Sequence, residues 1–116
     1  MPPVELTDPE DTKIVNLARS TRARTGAAEG ACVRDTDGRT YAGATVTLPS
    51  LRLSALQVAV AMAVSSGARG LEAVAVLGEP GAADDADLSL VRDFAGGGVT
   101  VLLAAPDGSV HASLTS

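Results

Sequence analysis

Two apolar runs of strand length constrain the fold of this chain more than any other feature. They are Leu71–Leu77 and residues 99–104, rich in Val, Leu and Ala. Neither alternates strictly between apolar and polar residues, the pattern of strands covered on both faces. Between them, Leu88, Val91 and Phe94 recur at helical spacing, which predicts a helix over roughly residues 87–95. A strand, a helix and a second buried strand close into a parallel pair with a right-handed crossover. The chain is therefore expected to be an α/β protein.

The remaining segments extend that plan. Thr7-Asp8-Pro9-Glu10 announces a first helix: Thr7 or Asp8 can cap it, Pro9 suits the first turn, and Glu10 and Asp11 favour the positive end. If Thr7 is the cap, Glu10 stands at the capping-box position. Ile14, Leu17, Ala18 and Thr21 follow on one face, and Gly26 is the expected stop. Residues 29–34 and 39–46 read as strands joined by a turn at Thr36-Asp37-Gly38. Leu48-Pro49-Ser50 breaks the second strand, and Ser50 is the expected cap of a helix running through Ser66 to a stop at Gly67. From Val58 to Val64 this helix is apolar almost all round, which predicts that it is sandwiched. Pro106-Asp107-Gly108 turns the chain into a final edge strand over residues 109–114. The order α-β-β-α-β-α-β-β predicts one domain over residues 1–116, with residues 1–6 as a loose tail.

Composition removes several function classes. Net charge is −5, and the Arg19, Arg22 and Arg24 group suits a solvated helix face, so the chain lacks the field that nucleic acid rewards. No stretch of about 18 apolar residues is present, so no membrane span is expected. The single cysteine, Cys32, forbids an internal disulfide, and the acidic N-terminus is no signal peptide; a cytoplasmic location is the expectation.

Several short matches fall in one order and at one spacing. Glu29-Gly30-Ala31 is followed by Asp37-Gly38 and Tyr41-x-Gly43. Then come Ala63-Val64-Ser65-x-Gly67, Arg92-Asp93-Phe94 and Ala105-Pro106-Asp107-Gly108. Together they resemble the cytidine deaminase family over about residues 10–113. The resemblance implies a three-layer α/β/α sandwich around a mixed five-stranded sheet. It also implies a homo-oligomer, dimer or tetramer, packed through helices near the active site.

The same resemblance puts the family's chemistry in doubt. Its first zinc-binding helix begins Cys-Ala-Glu or His-Ala-Glu; counting back from Gly67, this chain has Ser54-Ala55-Leu56. A serine hydroxyl stays protonated near neutral pH and is a poor zinc ligand, and leucine carries no proton. The two cysteines of the family's second zinc motif align with Asp84 and Asp87. The ribose-holding pair aligns with Thr45 and Thr47, and the phenylalanine that stacks on the base aligns with Ala27. No Cys, His or Glu lies between Tyr41 and Gly67. Ala27, Thr45, Thr47, Ser54, Leu56, Asp84 and Asp87 thus mark the expected remains of a pocket.

The leading expectation is a catalytically inactive, zinc-free binding or assembly module with no cofactor. An alternative is a divergent nucleoside- or nucleotide-processing hydrolase using Asp84 and Asp87, with or without a metal such as Mg²⁺. Against it, aspartates before a helix are the ordinary means of satisfying its free N–H groups. A third possibility is a structural partner of another protein through the acidic loop 78–87.

Overall fold

The computed structural model describes residues 4–79 and 85–116. Helix α1 (Pro9–Thr25) starts where Asp8 accepts the Glu10 backbone N–H through its side chain at 2.9 Å, so Asp8 rather than Thr7 is the cap. It ends at Gly26, whose φ of 67° is the left-handed stop expected of a glycine there. Strands β1 (Gly30–Asp35) and β2 (Thr40–Ala44) form an antiparallel hairpin. Strand β5 (Leu71–Leu77) pairs antiparallel with β1, and β6 (Thr100–Ala104) lies parallel to β5, as the crossover argument requires. Strand β7 (Val110–Thr115) closes the far edge, so the sheet order is β2-β1-β5-β6-β7.

One part of the expected layout is corrected. Residues 46–53 are not a break and the start of a helix but a small separate hairpin, β3 (Val46–Leu48) and β4 (Leu51–Leu53). Ser50 lies in its turn and caps nothing. Helix α2 (Ala55–Ser65) starts four residues later than expected, capped by Ser54. The reason is local: Leu51-Arg52-Leu53 has strand alternation, and Ser54-x-x-Gln57 is a capping box. In it the Gln57 N–H donates to Ser54 Oγ at 3.1 Å and the Ser54 N–H donates to Gln57 Oε1 at 2.8 Å.

Helices cover both faces of the sheet. Ile14, Val15 and Ala18 of α1 pack with Cys32, Ala73, Ala75, Leu77 and Leu102 on one face. Leu56, Ala59, Val60 and Ala63 of α2 pack with Ala31, Val33, Val74, Val76 and Val101 on the other. Helix α3 (Asp85–Ala95) lies on that second face too, with Val91 fully buried and Leu88 and Phe94 partly so. Alternate residues of β1 therefore belong to different cores, as strand geometry dictates. The α2 helix is only half sandwiched, because Met62 and Val64 stay exposed. The chain before α1 is tied to the sheet: the Val4 N–H donates to the Val110 carbonyl at 2.7 Å, and Leu6 packs against the α1-side core. Among the described residues no helix is long and apolar enough to cross a membrane.

Candidate functional site

The N-termini of α2 and α3 meet on the same face of the sheet. Ser54 ends β4 and begins α2, so capping fixes its hydroxyl: Oγ already accepts from the Gln57 N–H. The one proton it can donate goes to Asp87 Oδ1 at 2.9 Å. Asp87 stands in the first turn of α3 and is only 5% exposed. Two residues 33 positions apart are thus joined in a half-buried polar bridge between helix ends.

Leu56, in the first turn of α2, is fully buried in the apolar core. A side chain there faces the sheet, not a solvent-filled site. Thr45, between β2 and β3, spends its hydroxyl on the residue just before β1: Oγ1 accepts from the Glu29 N–H at 3.0 Å and lies 3.4 Å from the Glu29 carbonyl oxygen. Thr47 is exposed on β3, opposite Arg52. Ala27 is half-buried in the connection from α1 to β1. Asp84, and residues 80–84 of the acidic loop 78–87, lie outside the described residues. Of the seven positions singled out in sequence, the structure joins Ser54 and Asp87 directly and puts Leu56 in the apolar core.

The donor set does not fit zinc. Deaminase-type zinc is held by thiolate and imidazole, with one open position for water. The chain has one Cys and one His. Cys32 packs on the α1 face, across the sheet from Ser54 and Asp87, and burial pushes its thiol up to about 11, so it stays protonated near neutral pH. His111 is exposed on the edge strand β7. Among the described residues no group of three or more His, Cys, Asp or Glu side chains is placed to hold a metal ion.

The sequence model of a family described as cytidine deaminase-like matches residues 7–108. The chain belongs to the cytidine deaminase-like family. Solved structures agree on the fold. The cytidine deaminase of Burkholderia pseudomallei superposes with a TM-score of 0.76 at 22% identity, over 90% of this chain and 89% of that one. The Mycobacterium leprae enzyme gives 0.69 at 19% identity, over 90% and 93%. The Mycobacterium tuberculosis enzyme gives 0.69 at 23%, over 81% and 85%. No curated protein matches the chain.

Two further charged groups escaped the sequence reading. Asp35, 1% exposed, opens the β1–β2 turn and accepts from the Asp37 and Arg39 N–H groups and the Tyr41 hydroxyl, each at 2.9 Å. The signal was present, since Asp is favoured at the first position of a turn that its side chain can close. Arg34, beside it, donates to Glu72 at 3.0 Å and to Asp11 at 3.1 Å, tying α1 to the sheet. Burial alone would raise the Asp35 carboxyl, but the Arg39 N–H, the Tyr41 hydroxyl and the Asp37 N–H outweigh it and hold the group below the usual range. A depressed folded value contributes stability above the unfolded value, about 3.9 for Asp. That stability is lost as pH falls through the folded value. Urea midpoints measured from pH 7 downward are expected to fall below about pH 4, and less steeply in Asp35→Asn. Equal slopes in the two proteins would remove Asp35 as a source of acid sensitivity.

The Ser54–Asp87 bridge has its own test. Ser54→Ala also loses a helix cap worth about 1 kcal/mol, so a single variant cannot isolate the bond. A double-mutant cycle with Asp87→Ala, read by urea unfolding, cancels the cap and is expected to leave a coupling of about 1–2 kcal/mol. A coupling near zero would mean that the two side chains do not hold each other.

Proposed function

We propose that this cytidine deaminase-like chain is not a deaminase and that it acts through binding or assembly. The observation that carries this reading is the pairing of Ser54 with Asp87, with Leu56 fully buried in the core. On the resemblance, Ser54 and Asp87 stand at zinc-ligand positions and Leu56 at that of the proton-carrying glutamate. Two of these residues are spent on a structural hydrogen bond, and the third belongs to the core. Thr45 is spent on the Glu29 backbone in the same way. These positions are then the remains of a pocket, reused for structure, with Ser54 and Asp87 holding helix ends together.

The proposal includes a homo-oligomer, dimer or tetramer, in the cytoplasm. Metal content and turnover test the loss of chemistry. Protein purified without chelator is expected to carry substoichiometric zinc and to leave cytidine and deoxycytidine unchanged in an ultraviolet assay. One equivalent of retained zinc together with turnover would overturn the reading. Turnover without zinc that is abolished by Asp87→Ala would favour the divergent hydrolase, with or without another metal, instead.

A further inference from the structure

We propose that the outer face of α1 is a docking surface for an acidic protein segment, an extended stretch of chain rich in Asp and Glu. The inference goes beyond the proposed loss of chemistry and does not depend on it. Charge is spread unevenly along the chain. Residues 12–28 hold four cations, Lys13, Arg19, Arg22 and Arg24, and no acid, while the remainder holds five cations against fourteen acids. Among the described residues α1 is the only helix on its face of the sheet, since α2 and α3 pack on the other. Lys13, Arg19 and Arg24 are exposed; Arg22 is half-buried, with its Nε donating to the Ala28 carbonyl at 3.1 Å.

Ordinary solvation does not account for this face. Exposed helices gain from carboxylates three or four residues away from their cations. Lys13 has Glu10 at that spacing, but Arg19, Arg22 and Arg24 have no acid there. The helix dipole accounts for Arg22 and Arg24 in the last turn, but not for Arg19. The ion pairs seen among the described residues belong to Arg34. Asp107, in the turn before β7, is close enough to Arg19 to offset part of its charge. Acids on the far side of the sheet matter little: fields fall off over about 10 Å at 0.1 M salt, and the smallest dimension of the molecule is 24 Å.

Three features choose the occupant. Three of the four cations are arginines, whose fork matches a carboxylate with two parallel hydrogen bonds. From Lys13 to Arg24 the helix rises about 17 Å, the span of roughly five residues of extended chain. The neighbourhood also disfavours other polyanions. Bases need aromatic platforms, and both aromatics, Tyr41 and Phe94, pack against the core of the opposite face. A lipid surface needs apolar anchors, and none of the exposed large apolar side chains lies on α1.

Fluorescence anisotropy of a labelled ten-residue oligoglutamate titrated with the full chain tests the proposal. Saturable binding with a Kd below ~1 mM is expected at ~20 mM salt, weakened at least about fivefold at ~200 mM. Replacing Arg19→Gln and Arg24→Gln together is expected to weaken it at least about fivefold. Replacing Arg52→Gln and Arg92→Gln removes the same charge from β4 and α3 and is expected to change it less than about twofold. All four sites are exposed, and far-ultraviolet circular dichroism checks the fold. Equal losses in the two double variants, or no saturation by ~1 mM, overturn the proposal. Tighter binding of a ten-nucleotide oligothymidylate or of phosphatidylserine vesicles to the same face would overturn the choice of a protein segment. A smaller sedimentation coefficient in the Arg19 and Arg24 double variant would give the face to a second copy instead. Zinc content and turnover decide the loss of chemistry separately, so either idea can fail alone.

Discussion

Leu56→Glu is expected to leave cytidine untouched and to cost the protein much of its stability. On the resemblance this change restores the family's proton carrier. The structure gives it a different consequence. Leu56 is fully buried in the apolar cluster that includes Ala31, Val33, Val74, Val76 and Val91. Loss of buried leucine packing alone costs about 3–5 kcal/mol. A buried carboxyl without partners adds its desolvation, or is forced to stay protonated. Against a total of about 5–15 kcal/mol for an ordinary domain, that is a large fraction. A thermal midpoint lower by about 15 °C or more is expected, while Leu56→Met, of similar volume, stays within a few degrees. A Leu56→Glu protein as stable as its parent would show that this position is not core. One that deaminates would refute the non-catalytic reading as well.

The second large effect concerns two glycines on opposite faces of the β1–β2 hairpin. A methyl at Gly30 would run into the Ala18 carbonyl of α1. A methyl at Gly43 would sit 2.9 Å from the Ala59 backbone nitrogen and 2.7 Å from Val58 Cγ1 on α2. Each obstacle includes helix backbone, which cannot swing aside as a side chain can. Gly30→Ala and Gly43→Ala are each expected to destabilise by about 3 kcal/mol or more, the upper end for overpacking. Gly26→Ala makes the contrast: its Cβ meets nothing within 4 Å, and its cost comes only from a φ of 67°. Urea unfolding of the three variants separates close packing from backbone strain. If Gly30→Ala and Gly43→Ala cost no more than Gly26→Ala, the helices do not approach the hairpin this closely.

These glycines explain why a handful of short matches were enough to identify the fold. Gly30 and Gly43 belong to the Glu29-Gly30-Ala31 and Tyr41-x-Gly43 segments, and each marks a place where a helix lies against a strand with no room for a side chain. With aromatics at 2% of the chain, small residues must make the contacts between layers, and their spacing records where the layers meet. Helix caps were legible for the same local reason, except where two serines competed. Ser50 follows a proline and looks like a cap, but only Ser54 has Gln57 three residues on. The β3–β4 hairpin was missed because three-residue strands carry too little alternation to stand out from a loop.

The sequence by itself determined the order of the helices and of the five strands of the main sheet, and the parallel crossover. It also determined the poverty of the chain in metal ligands and proton carriers, because spacing and residue type act locally and cannot be altered by folding. Only the tertiary structure decided how the remaining groups are used. Ser54 and Asp87 meet across 33 positions because α2 and α3 lie side by side on one face of the sheet. Cys32 is kept from them because strand residues alternate between faces. Met62 and Val64 stay exposed because α2 is wide enough to be covered by the sheet on one side only.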